Sequence, residues 1–168
     1  MKSWRVTKYN PAHRDAQGKF SSAEWTSVHD VGKFFGGKEL TVDEYLRMEN
    51  AYIDTIVDFC TDAGCLSLTV RDAEQAGPIP NVLGEVLLVP PAPLSKVSCD
   101  DLPIVIRSCL REIFWCRLEA EDESFKIHFG YDYYVYILGV EPSSVTLATA
   151  RARGMFVEPW QSPYLRVE

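Results

Sequence analysis

The chain has 168 residues, a formal charge of −7, 46% apolar residues and 24% charged ones. That length corresponds to about one domain able to bury roughly 70% of its unfolded surface, and the composition excludes general disorder. The negative charge is spread over both halves, which argues against a phosphate backbone as partner, because basic patches supply most of that affinity. An acidic surface suits solubility or a basic protein partner.

Taken in order, Trp4, Val6 and Lys8 alternate with Arg5, Thr7 and Tyr9, which predicts a first strand ended by Asn10 and Pro11. A polar loop follows, carrying His13, Arg14, Asp15, Gln17 and Gly18, with Phe20 and Trp25 as anchors to the body. Ser27 and Asp30 predict a short helical turn reaching Phe35 and closed by Gly36 and Gly37. The loop is long for a connection, so a functional role and plain surface packing both stay open.

Residues 40–64 read as the main helix. Thr41 followed by Glu44 has the form of a capping box, and Gly64 supplies a left-handed stop. At about 100° per residue, Tyr45, Leu46, Met48, Tyr52, Ile53, Ile56, Val57, Phe59 and Cys60 share one half of the wheel. Asp43, Glu44, Asp54, Asp58 and Asp62 gather opposite, with Arg47. The helix therefore has a core face and an acidic face.

Leu66, Leu68 and Val70 alternate with Ser67, Thr69 and Arg71 in a half-buried strand. Gly77, Pro78 and Pro80 break the chain, residues 82–89 read as a more central strand with Gly84 as a bulge point, and Pro90, Pro91 and Pro93 force an extended link. A second helix is expected from residues 98–101 to about Leu118, with Pro103 in its first turn. Its apolar stripe is Leu102, Val105, Ile106, Cys109, Leu110 and Ile113. Its other side carries Arg107, Arg111 and Trp115 at spacings of four, either an exposed binding row or a row packed under a loop. Glu119, Glu121, Asp122 and Glu123 make an acidic turn. Phe125, Ile127 and Phe129 form the next strand, Gly130, Tyr131 and Asp132 a hairpin turn, and residues 133–138 the returning strand. Pro142 and Ser143 open a third helix through Arg153, stopped by Gly154, and residues 155–157 add a last short strand. The expected fold is α+β: a single domain over residues 1–168, mainly antiparallel sheet, with two longer helices and a shorter C-terminal helix packed on it.

Five cysteines, at positions 60, 65, 99, 109 and 116, give an odd count without the two-residue spacing of a zinc or redox motif, and read as reduced. His13, His29 and His128 lie in different elements without a second ligand at metal spacing, so neither a metal nor a cofactor is expected. Ser27, His29 and Asp30 contain the residue types of a hydrolase triad, but neighbouring positions suit capping better. Glu49 falls inside the apolar half of the main helix. There it requires a backbone amide, Arg5 or Arg14 as partner, or else serves as a general acid or base. The polar first nine residues and the lack of an apolar run near 18 residues predict a cytoplasmic protein without a membrane span.

Lys8-Tyr9-Asn10-Pro11, Glu24-Trp25-Thr26-Ser27 with Asp30 and Gly32, Glu44-Tyr45 with Glu49, Phe129-Gly130-Tyr131-Asp132-Tyr133-Tyr134 and Ser162-Pro163-Tyr164 together resemble small bacterial immunity-type proteins of polymorphic toxin and contact-dependent growth inhibition systems. The resemblance implies a non-enzymatic cytoplasmic protein that binds and blocks a cognate toxin domain, with no catalytic residues to assign. Since many toxin domains are basic nucleases, an acidic partner would be steered to them. The expected contact residues are Asp43, Asp54, Asp58 and Asp62 on the main helix, Glu121 and Glu123 in the acidic turn, and Asp132 with Tyr131. Two alternatives stand beside it: a small enzyme with a pocket around Glu49, Arg14 and His29, and a general interaction or regulatory module.

Overall fold

The computed structural model describes residues 1–17, 20–76 and 85–165. Its strands and helices run in chain order as β1 (Ser3–Thr7), β2 (Phe34–Phe35), β3 (Lys38–Glu39), α1 (Val42–Asp62), β4 (Ser67–Gln75), β5 (Lys96–Ser98), α2 (Leu102–Leu110), β6 (Phe114–Glu119), β7 (Lys126–Phe129), β8 (Val135–Leu138), α3 (Ser144–Ala152) and β9 (Phe156–Pro159). Among the described residues, seven strands form one antiparallel sheet in the order β5-β4-β6-β7-β8-β1-β9. The protein is an α+β domain, as its strand and helix patterns predict. No helix among the described residues is long and apolar enough to cross a membrane.

The capping chemistry sets α1. The Thr41 hydroxyl accepts the Glu44 amide, while the Glu44 carboxylate turns to Arg47 and leaves only half of a capping box. At the other end the Cys65 and Gly64 amides reach the Cys60 and Thr61 carbonyls, the paired bonds of a left-handed glycine stop. Tyr45, Met48, Tyr52, Ile53, Ile56, Phe59 and Cys60 are buried in one cluster with Val105 and Ile106 of α2 and with Val6, Val70, Leu118, Ile127, Val135 and Ile137 from alternate strand positions. The period-2 faces of the strands therefore meet the period-3.6 stripe of α1.

The opposite sheet face is polar. The pairing registers place Arg71, Arg117, His128, Tyr136, Arg5 and Glu158 side by side across six strands. Both chain ends close over this row. Arg14 reaches Glu158, the Arg5 guanidinium sits 3.5 Å from the Trp160 ring centre, and His128 Nδ1 lies 2.9 Å from the Ser162 hydroxyl. The N-terminal loop is pinned by Lys8, held between the rings of Tyr9 and Trp25 and paired with Glu24.

Several local expectations are corrected. The turn begun by Ser27 and Asp30 is a reciprocal capping box over only Val28–Asp30, and Phe34 and Phe35 belong to a hairpin. Gly36 and Gly37, both at positive φ, form the two-residue link that such a hairpin requires. The second helix stops at Leu110, and residues 114–119 are the strand β6 rather than its continuation. Glu112 takes φ 58°, which ends the helical path one residue after its cap. Leu66 is exposed, outside the strand that begins at Ser67. Residues 85–89 are irregular, because the β4 edge is occupied by the short β5 instead. Gly18, Gly77, Pro78, Pro80, Gly84 and residues 82–84 of the expected central strand lie outside the described residues.

Candidate partner-binding site

Three local backbone events converge at one end of the sheet. The first is the β7–β8 turn. Asp132 and Tyr133 both hold positive φ, 55° and 61°, and Tyr131 before them stands 85% exposed. Two successive non-glycine residues in the left-handed region cost energy, and such strain survives only where surrounding contacts over-determine it.

Those contacts run through Tyr133. Its hydroxyl donates to the Leu110 carbonyl at 2.8 Å and lies 3.1 Å from the Tyr45 hydroxyl, and its own carbonyl accepts from Tyr52 at 2.6 Å. Trp25 packs edge-on against its ring at 5.1 Å. Burial pushes the Tyr45 and Tyr133 phenols up from their ordinary values, so both stay protonated hydrogen-bond donors.

The second event is the end of α2. Arg111 caps the helix and turns inward, where its Nε and Nη2 donate to the two oxygens of Glu49 at 2.6 and 2.7 Å. Arg107 and the Tyr45 hydroxyl also reach the Glu49 carboxylate. Glu49 thus has its partner, from α2 rather than from Arg5 or Arg14, both of which pair with Glu158. With Arg111 held inside, Glu112 emerges at the surface beside Asp132, and the two line one recess together with Gly130 and Tyr134.

The third event is a β-bulge in β4. The pairing with β6 slips by one residue between Arg71 and Glu74, with Asp72 at φ 44°. The slip sends Ala73 toward the core and places the Glu74 carboxylate opposite Trp115 on the polar face, re-aiming a side chain as bulges do. Trp115 itself donates its indole N–H to the Phe129 carbonyl, and Tyr164 packs against it at 6.0 Å. Glu74, Gln75, Trp115, Gly130, Tyr131 and Tyr164 surround a groove of about 460 Å³.

The expected contact residues divide accordingly. Tyr131 and Asp132 sit at this sheet end, and Asp43 and Asp54 are exposed on α1. Asp58 and Asp62 are engaged within the fold: Asp58 accepts from Arg153 and Thr149, and Asp62 accepts the Ser143 amide at the start of α3. Asp54 also approaches Arg153, at 3.9 Å. The acidic face of α1 is therefore largely the seat of α3. Glu121 and Glu123 are exposed in the β6–β7 turn and pair with Lys96 and Lys126. Of the residues named for an enzymatic pocket, Glu49 is enclosed in its ion pair, Arg14 is held by Glu158, and His29 is exposed 4.0 Å from Glu112.

Sequence reasoning missed Glu112 and Glu74, and it singled out Tyr164 only as part of a resemblance motif and not as a contact residue. The alternation of Phe114, Cys116 and Leu118 with Trp115 and Arg117 carried the signal for β6, but the same residues also satisfied a helical stripe. The sheet end is an aromatic and acidic tip on an α+β domain. Compared with protein-family models, curated proteins and solved structures, the chain matches none.

Proposed function

We propose that this protein is a non-enzymatic cytoplasmic inhibitor of the immunity type, which binds a cognate toxin domain and occludes its active site or substrate cleft. The observation that carries this reading is Tyr131, 85% exposed at the tip of a turn whose next two residues are held in strained backbone. An exposed tyrosine on a rigid support brings large contact area at small entropic cost, as binding hot spots require. Glu74 shares its groove, and the adjacent Asp132 lines a neighbouring recess with Glu112, so this sheet end carries negative charge that favours a basic partner and speeds its approach. The resemblance to immunity-type proteins includes this turn and supplies the class of partner.

The test is capture of the protein from its native cells, followed by co-expression of the recovered partner domain with and without it. A near-equimolar partner whose toxicity the protein suppresses is the expected result. Tyr131→Ala should then weaken the complex by at least about tenfold with the fold intact. A constitutive partner without toxicity would replace the reading with a regulatory module.

A further inference from the structure

The groove beside Tyr131 carries chemistry more specific than an acidic surface. Its walls are the rings of Trp115, Tyr131 and Tyr164, and among the described residues its one charged lining group is Glu74. The Gln75 amide nitrogen is committed to the Ile113 carbonyl, which leaves the amide oxygen as a second acceptor. Arg117, in the adjoining recess, is already paired with Asp72 and with the Tyr164 carbonyl.

Elsewhere in the protein, aromatic faces hold cations of the chain itself. Arg5 lies over Trp160 and Tyr134, and Lys8 over Tyr9 and Trp25. Among the described residues, Trp115, Tyr131 and Tyr164 hold none. The bulge that brings Glu74 opposite Trp115 completes the arrangement, since it puts a carboxylate among the aromatic residues that line the groove.

We propose that this groove takes the side chain of an arginine on the partner protein, its guanidinium stacked on Trp115 and Tyr131 and its N–H groups shared between Glu74 and Gln75. A planar guanidinium satisfies both demands at once, stacking on a ring while donating in its own plane to a carboxylate. An ammonium meets only the charge. The inference rests on the proposed partner-binding role of this sheet end and names the residue that such a partner would present there.

The experiment uses the full chain and three blocked tripeptides, acetyl-Gly-Arg-Gly-amide, its lysine analogue and its citrulline analogue, the last an uncharged near-isostere of arginine. Binding is read from the Trp115 indole N–H resonance in a nitrogen-15 titration, with the Trp160 indole as internal reference. The expected result is a saturating shift of Trp115 with the arginine peptide, a smaller one with lysine and none with citrulline. Glu74→Gln and Tyr131→Ala, both at exposed positions, should each weaken the arginine peptide at least fivefold and leave the remaining spectrum in place. Equal shifts from arginine and citrulline, or no shift at Trp115, would overturn the proposal. Since the titration involves no toxin, its failure leaves capture and protection standing, and failure of protection leaves the titration standing.

Discussion

Glu49 shows how one residue organises the site from inside. Its side chain is 1% exposed and takes two hydrogen bonds from Arg111, one from Arg107 and one from Tyr45. Burying a carboxylate is costly unless pairing and hydrogen bonds replace its water, and here all four contacts come from α1, α2 and the residue that caps α2. Removing the charge leaves the Arg111 guanidinium buried beside a neutral group. Glu49→Gln should therefore lower the unfolding free energy by about 3 kcal/mol, read from the urea midpoint. Glu44→Gln, which breaks the partly exposed pair with Arg47, should cost no more than about 1 kcal/mol. Equal losses would show that the inner pair is not a determinant of stability. The need for a partner at Glu49 was legible from helical phase alone. Its identity was not, because Arg111 was placed on the outer side of an overlong helix, whereas the chain leaves that helix at Arg111 and turns the side chain inward.

At the scale of elements, legibility followed pattern strength. The helices α1 and α3, flanked by Thr41, Gly64, Ser143 and Gly154, have the caps and stops their sequences announce. The pieces that misled were short or fitted two periods: β5 with three residues, the Phe34–Phe35 hairpin, and β6. A bulge such as that at Asp72 leaves no mark in composition, since it is a slip in register between two strands. Close approach of backbones is equally silent. Gly139 follows β8 at φ 108°, its amide bound to the Lys2 carbonyl, and a Cβ there would collide with the Ser124 carbonyl. Gly64 has φ 63° but open space around it. Gly64→Ala should cost only the left-handed strain, about 1 kcal/mol, whereas Gly139→Ala adds an overpacking penalty and should cost about 3 kcal/mol or more. Thermal unfolding of the two variants separates these terms, and equal losses would mean that the Ser124 turn yields freely.

For the whole molecule, the telling quantity is how stability responds to acid. His128 lies beneath the C-terminal segment at the centre of the polar row, and burial, reinforced by Arg117 and Lys126, pushes its imidazole down to about 4. The fold therefore favours neutral His128, while the unfolded chain titrates at the ordinary value of 6.5. Between those limits the unfolded state binds more protons, so stability rises with pH and is lost as pH falls from 6.5 toward 4, by up to about 1.4 kcal/mol per unit. Asp30 and Asp62 act later. Despite the opposing cost of burial, hydrogen bonds hold both carboxyls below 3.8, and their contribution is lost only below that value. Protonated His128 would place a third cation beside Arg117 and Lys126, beneath the Ser162–Tyr164 segment that also supplies one wall of the groove. Urea midpoints measured from pH 7 to pH 4 should fall steadily for the natural protein. In His128→Asn, whose amide can still meet Ser162, the decline should begin only near pH 4. A variant that declines in parallel with the natural chain would assign the acid sensitivity to the carboxylates and remove His128 from the control of the C-terminal segment.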